Sequence, residues 1–126
     1  MATRGALMQV VEDDPAMRCF LRVLLLEAGY RVVEAPDGST ALAQLQTDAP
    51  DLVLLDILLP DIDGYEVARR IRVEPALARL PILMLTGLDK PAEAVLGFAA
   101  GADDYVRKLV ANEELLARIR RLLRPR

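Results

Sequence analysis

The sequence has no histidine among its 126 residues. That excludes a Ser-His-Asp triad, a histidine general base and any histidine-ligated zinc site. It has one cysteine, Cys19, so an internal disulfide is excluded and a reducing compartment is expected. Its apolar runs fall far short of the roughly 20 residues that span a bilayer. The N-terminal Met1-Ala2-Thr3-Arg4-Gly5 leads straight into a strand-like segment and lacks the parts of a signal peptide. Repeats, low-complexity tracts and internal linkers are missing as well. So is the basic excess of a nucleic-acid-binding domain, since the net charge is −3. The charge is uneven: seven basic residues face two acidic ones from Arg107 to Arg126, against nine and seventeen before that. The basic end reads as a solvated helix face leading to a terminus or linker rather than as a phosphate-binding patch.

What is present is a globular composition, 53% hydrophobic and 28% charged, of a length that suits one domain with its own core. Short apolar runs alternate with longer periodic ones. Ala6–Val11 reads as a buried strand. Asp14-Pro15 then offers a helix cap and a first-turn proline. Met17, Phe20, Leu21, Leu24, Leu25 and Ala28 follow at helical spacing up to Gly29. Arg31–Ala35 is a β-branched strand, and Asp37–Asp48 a helix with Ala41, Leu42 and Leu45 inward. Asp51–Asp56 is a continuous apolar strand, of the kind covered on both faces. After a polar loop, Tyr65–Val73 is a helix, Leu80–Leu85 a strand closed by Thr86-Gly87, and Ala92–Ala100 a helix stopped by Gly101. Asp103–Arg107 is the fifth strand, and Asn112 caps a last helix to about Leu123. Five such alternations predict an α/β fold with five helices, a flavodoxin-like doubly wound parallel sheet of order 2-1-3-4-5.

That order places the ends of the first and third strands side by side, so Glu12, Asp13 and Asp56 should share one crevice. Thr86 and Lys108 end the fourth and fifth strands beside it. Three close carboxylates repel unless a cation or protons intervene. All-oxygen ligands suit a hard cation, and Mg2+ is the natural choice. Asp56 could then act as a nucleophile toward phosphorus, with Lys108 and the Thr86 hydroxyl on the phosphoryl oxygens. Taken singly, each residue has an ordinary explanation: Asp13-Asp14 as a helix cap, Asp56 as a strand end, Asp61 and Asp63 as turn-formers beside Gly64. The joint placement is what points to chemistry.

The stretches QVVEDD at 9–14, PDLVLLDILLPDIDGYEV at 50–67, LPILMLTG at 80–87 and GADDYVRK at 101–108 make the chain resemble the receiver domain of bacterial two-component response regulators. The resemblance covers Met8 to about Leu123. It implies one receiver domain over 1–126, with a core of about 6–123 and the start of a linker at 124–126. It implies that Asp56 takes a phosphoryl group from a sensor histidine kinase or phosphotransfer protein. Mg2+ would sit on Asp13, Asp56 and the backbone carbonyl of Leu58, with Glu12 acting mainly through water. Thr86 would contact the phosphoryl group with Lys108, and Thr86 and Tyr105 would form the switch. A cytoplasmic signalling module is implied, not a conventional enzyme. It would bind neither nucleic acid nor membrane itself, and a homodimer through the fourth helix, fifth strand and fifth helix is one expected partner.

Several departures from the family pattern matter. Leu109 stands where the family usually has proline after the lysine, commonly with a cis bond. Cis before leucine costs about 2.5–4 kcal/mol, so a trans bond is expected. It could hold Lys108 farther from Asp56, but lysine's long stem can absorb some of that, so weakened phosphoryl contact is expected rather than its loss. Ala94 stands where DNA-binding members carry a basic residue for their dimer, although Asp103, Asp104, Glu114 and Arg118 remain for charged contacts. Leu58 and Leu88 are apolar where polar side chains could orient an attacking water, which points to slow self-dephosphorylation. Two rival readings remain. One is a phosphohydrolase of the haloacid dehalogenase type, which would need an aspartate where Leu58 stands. The other is a scaffold that is never phosphorylated. An output domain could be DNA-binding or cyclic-nucleotide-forming.

Overall fold

The computed structural model describes residues 5–87 and 91–124, without the side chains of 91–93. Leu88 and most of the proposed linker at 124–126 lie outside the described residues. Five strands, β1 Leu7–Val11, β2 Arg31–Ala35, β3 Leu52–Leu55, β4 Ile82–Thr86 and β5 Asp104–Arg107, alternate with five helices. The helices are α1 Pro15–Glu27, α2 Gly38–Gln44, α3 Gly64–Val73, α4 Pro91–Ala100 and α5 Asn112–Leu122, and a 3-10 turn follows α3 at Pro75–Leu77. The strands form one sheet of order β2-β1-β3-β4-β5, and every pairing is parallel. This is the predicted doubly wound topology.

The central strands are apolar on both faces because helices cover both. Met8, Val10, Leu54, Leu83 and Leu85 pack with Leu21 and Leu25 of α1 and with Leu115 and Ile119 of α5. Val11, Val53, Leu55, Ile82 and Met84 pack with Ala41 of α2, Val67 and Ile71 of α3 and Ala100 of α4. Each fully buried leucine, valine or isoleucine contributes roughly 1.5–3 kcal/mol relative to exposure. Buried strands of this kind leave their C-terminal ends as the rigid rim on which polar loops sit.

Helix starts follow local capping. Asp14 accepts from the Ala16 amide at 3.2 Å, Asp37 from Thr40 at 2.7 Å, and Asp63 from Glu66 at 2.9 Å, each satisfying an otherwise orphaned N–H. Gly29 and Gly101 end α1 and α4 at φ 96 and 114, in the left-handed region. Three expectations need correction. Phe20 and Ala28 are exposed on α1, because Leu21 and Leu25 alone define its fully buried stripe. The second helix ends at Gln44, with residues 45–47 in turn. Asn112 is the first residue of α5 rather than its cap; Ala111 takes that place without a side-chain bond.

The charged groups expected to serve dimer contacts have partners within the chain. Asp104 is buried on β5, and Arg118 Nη1 reaches its two oxygens at 2.9 and 3.0 Å. Arg121 adds a bond of 2.7 Å to Asp104, and Arg118 also holds Glu114 at 2.8 Å. Asp103 is bound by Arg72 of α3 at 2.7 Å. These groups are engaged within the chain, and Arg118 and Arg121 of the basic end offset the buried Asp104 while Arg121 stays exposed to solvent.

Gly64 opens α3 where only glycine fits. Its amide donates to the Ile57 carbonyl at 2.8 Å, and a Cβ there would enter the Asp56 carbonyl oxygen and lie 2.8 Å from Ile57 Cα. Both neighbours are backbone and cannot rotate away. Gly64→Ala should therefore lower stability by about 1–3 kcal/mol, read as a lower urea midpoint at unchanged slope.

Candidate functional site

β1 and β3 are adjacent, so the residues after them emerge at one edge of the sheet. Glu12 is 1% exposed and Asp56 4% exposed, while Asp13 lies open to solvent. Each of the three offers a carboxylate oxygen, and those oxygens all lie within 4.8 Å of one another. The backbone fixes both buried acids: the Glu12 amide donates to Ala35 O at 3.0 Å and the Asp56 amide to Val11 O at 3.0 Å. The Asp14 amide donates to Glu12 Oε2 at 3.1 Å.

β5 delivers the cation. Lys108 Nζ lies 2.7 Å from Glu12 Oε1 and 3.0 Å from Asp56 Oδ2. Its amide donates to Thr86 O at 2.8 Å, which ties the ends of β4 and β5 together. Burial pulls the Lys108 ammonium down, but its bonds to Glu12 and Asp56 outweigh this and leave it above the usual lysine value. Burial pushes the Glu12 carboxyl above its usual range, against the pull of Lys108 and the Asp14 amide.

The described backbone has no cis peptide, so the Lys108–Leu109 bond is trans, as expected. The ammonium is in direct contact with Asp56. Lysine's four-carbon stem spans the gap, while Leu109 itself points outward, 96% exposed.

Thr86 is fully buried at the end of β4. It lines a cavity of about 420 Å³ with Gly87, Arg107, Lys108 and Leu109. Tyr105 is half-buried on β5 and packs with the α3–α4 side of the core. Gly97 of α4 makes room for its ring, since a Cβ there would lie 3.3 Å from the Tyr105 Cδ2. The Leu58 amide lies 3.4 Å from Asp56 Oδ1, so Leu58 follows the acid into the site while its side chain stays exposed.

Asp61 does more than form a turn. Its carboxylate accepts from the amides of Gly38 at 2.9 Å and Ser39 at 2.8 Å, clamping the loop after Asp56 onto α2. The Ser39 hydroxyl and these amides hold its carboxyl well below the usual carboxylate range. Its partners lie over twenty residues upstream, so no local sequence signal marks the clamp. Arg18 was also missed. It donates to Glu12 O at 2.8 Å from within the first turns of α1, where a lone arginine reads as a solvated residue.

A family profile for the response regulator receiver domain matches residues 8–120. The chain belongs to this family. It is 50% identical over 115 residues to response regulator MprA of Mycolicibacterium vanbaalenii, covering 91% of this chain and 49% of that protein. It is 43% identical to the DNA-binding dual master transcriptional regulator RpaA of Synechocystis, covering 91% and 48%. The chain thus spans about half the length of these relatives. A crystal structure of a putative response regulator from Chloroflexus aurantiacus superposes with a TM-score of 0.92 at 38% identity, covering 95% of this chain and 98% of that one. No helix among the described residues is long and apolar enough to cross a membrane.

Within this receiver domain Lys108 neutralises two buried carboxylates, and its removal leaves them facing each other. Lys108→Gln should cost about 1–3 kcal/mol of metal-free stability, measured by urea denaturation at neutral pH. The wild-type contribution is complete below pH 10.5, the unfolded lysine value, and is lost as pH rises through the higher folded value. The variant's melting curve should accordingly fall less steeply on the alkaline side.

Proposed function

We propose that this receiver domain accepts a phosphoryl group on Asp56 from a phosphohistidine of a sensor kinase or phosphotransfer protein, and that the modification switches an output. The supporting observation is the buried Asp56 carboxylate, set among Glu12, Asp13 and the Lys108 ammonium at the sheet's switch point. The donor histidine lies outside this 126-residue sequence, which has none. In the transfer one Asp56 oxygen attacks phosphorus and the bond from phosphorus to the donor imidazole breaks. The imidazole leaves with the electron pair, and Asp56 becomes an acyl phosphate.

The donor set fits a hard divalent cation: all ligands are oxygens, and the acidic oxygens are closely grouped. Asp13, Asp56 and the Leu58 carbonyl would hold Mg2+, with Glu12 acting through water. When bound, Mg2+ offsets charge on the phosphoryl oxygens. Lys108 stays within reach of the same oxygens and needs no reorganisation to meet them. Buried Thr86 donates its hydroxyl to the group once it is attached.

A phosphoryl group brings about −1.5 to −2 charges and three strong acceptors. Thr86 moves toward it, and Tyr105 turns into the space behind, changing the surface of α4, β5 and α5. The names of the relatives, response regulators including a DNA-binding transcriptional regulator, support a transcriptional output and a cytoplasmic setting. The phosphohydrolase reading lacks its acid, since position 58 is leucine.

Incubation with acetyl phosphate and Mg2+ should add one phosphoryl mass to the wild type and none to Asp56→Asn, both folded by circular dichroism. Equal labelling of the two would refute the Asp56 assignment, and sustained turnover of a general phosphatase substrate would favour the hydrolase. The switch is tested separately. A beryllofluoride-trapped structure should show Tyr105 in a new, inward rotamer; the same rotamer as in the free protein would sink that part of the reading.

A further inference from the structure

The acidic site is held from below by a residue that touches none of its carboxylates. The loop between β1 and α1 is only Glu12, Asp13 and Asp14. Arg18 Nη1 lies 2.8 Å from the Glu12 carbonyl and 3.4 Å from the Asp13 carbonyl, so one guanidinium nitrogen gathers two successive peptide oxygens. Arg18 is 21% exposed at its side chain, and its Nε lies 3.3 Å from Glu34 Oε1 on β2. Arg22, one turn further along α1, reaches the other Glu34 oxygen at 3.7 Å. The chain of contacts therefore runs from β2 through Glu34 and Arg18 to the two peptides that carry Glu12 and Asp13.

We infer that Arg18, anchored by Glu34, is a positioning residue for the cation site: it fixes the peptide planes from which Glu12 and Asp13 project. The inference rests on the Mg2+ reading of that site. Glu12 has further tethers through its amide and both carboxylate oxygens. Asp13 is exposed, so its direction depends on the backbone that Arg18 holds. Partners of this outer kind typically change metal affinity by about 10–100-fold when removed.

The sign of the effect separates positioning from simple electrostatics. A guanidinium near a dication repels it, so removing the charge alone would tighten binding. Loss of positioning weakens it instead. Guanidinium also differs from ammonium here, because it can meet Glu34 and the carbonyls from separate nitrogens.

The test uses the full chain as wild type, Arg18→Ala and Arg18→Lys, titrated with MgCl2 by calorimetry. Amide hydrogen exchange at Asp13 and Asp14 is followed in the metal-free proteins. Arg18→Ala should bind Mg2+ about tenfold more weakly and exchange those amides faster, and Arg18→Lys should lose less. Labelling by acetyl phosphate should return to the wild-type rate at saturating Mg2+, because only placement of the ligands is impaired. Should Arg18→Ala fail to fold, Arg18→Lys carries the test with a weakening of more than twofold. Affinity within twofold of wild type in a folded variant, or tighter binding, would overturn the inference while leaving the cation site standing. No Mg2+ binding by the wild type would overturn the cation reading and this inference with it.

Discussion

Two carboxylates buried next to each other set the terms for this fold. Isolated in the interior, either charge would cost several kcal/mol, and together they repel. The Lys108 ammonium resolves this by contacting Glu12 and Asp56 at once. The solution depends on topology. The pairing of β1 with β3 puts Glu12 beside Asp56, and the parallel β4 and β5 bring Lys108 to the same rim. The apolar strands beneath make that rim rigid, since Val10, Val11, Leu54 and Leu55 are buried on both faces of the sheet.

Much of the chain's polar bonding holds the loops around that rim. Asp61 fastens the segment after Asp56 to the start of α2, and Asp63 caps α3 two residues later. Gly64 lets the returning chain lie directly on the Asp56 carbonyl. At the opposite end of the sheet Arg72 bonds Leu80 O at 2.6 Å and Gly101 O at 2.9 Å, tying α3 to the turn before β5. These bonds use side chains to satisfy backbone groups that helix and sheet ladders leave over, as buried polar groups require. Their consequence is that the loops bearing Glu12, Asp13 and Asp56 have little freedom before any ligand arrives.

The sheet order and the acidic crevice were legible because they rest on patterns that extend along the chain. Alternating apolar runs gave five strands, and parallel pairing then fixed which strand ends meet. Asp56 and Lys108 could be brought together across 52 residues on that basis alone. The missing details depend on pairs that no pattern marks. Asp61 and Gly38 belong to different loops, and Asp61 beside Gly64 reads equally well as turn chemistry. Arg18 sits among charged and apolar residues on a helix whose spacing says nothing about the carbonyls at its base. Asn112 looked like a cap because asparagine favours that position, yet tertiary packing of Leu115 and Ile119 sets where α5 begins. Asp104 read as surface charge, although its burial is offset by two arginines from the next helix.

Charge counting shows why one lysine leaves the site unfinished. Glu12, Asp13 and Asp56 carry three formal negative charges, and Lys108 returns one. The remainder matches one divalent cation. A monovalent ion or a second lysine would leave the cluster anionic by one charge. The trans bond before Leu109 is compatible with this balance because Lys108 needs length rather than a special backbone path to reach both acids. With a dication bound, the proposed acyl phosphate at Asp56 would replace its single charge by about −1.5 to −2 and make the site anionic again by roughly one charge. The buried Thr86 hydroxyl is an uncharged donor on the neighbouring strand, whose last carbonyl already accepts the Lys108 amide. Lys108 thus links Asp56 by direct contact to the ends of β4 and β5, next to where Tyr105 and α4 pack.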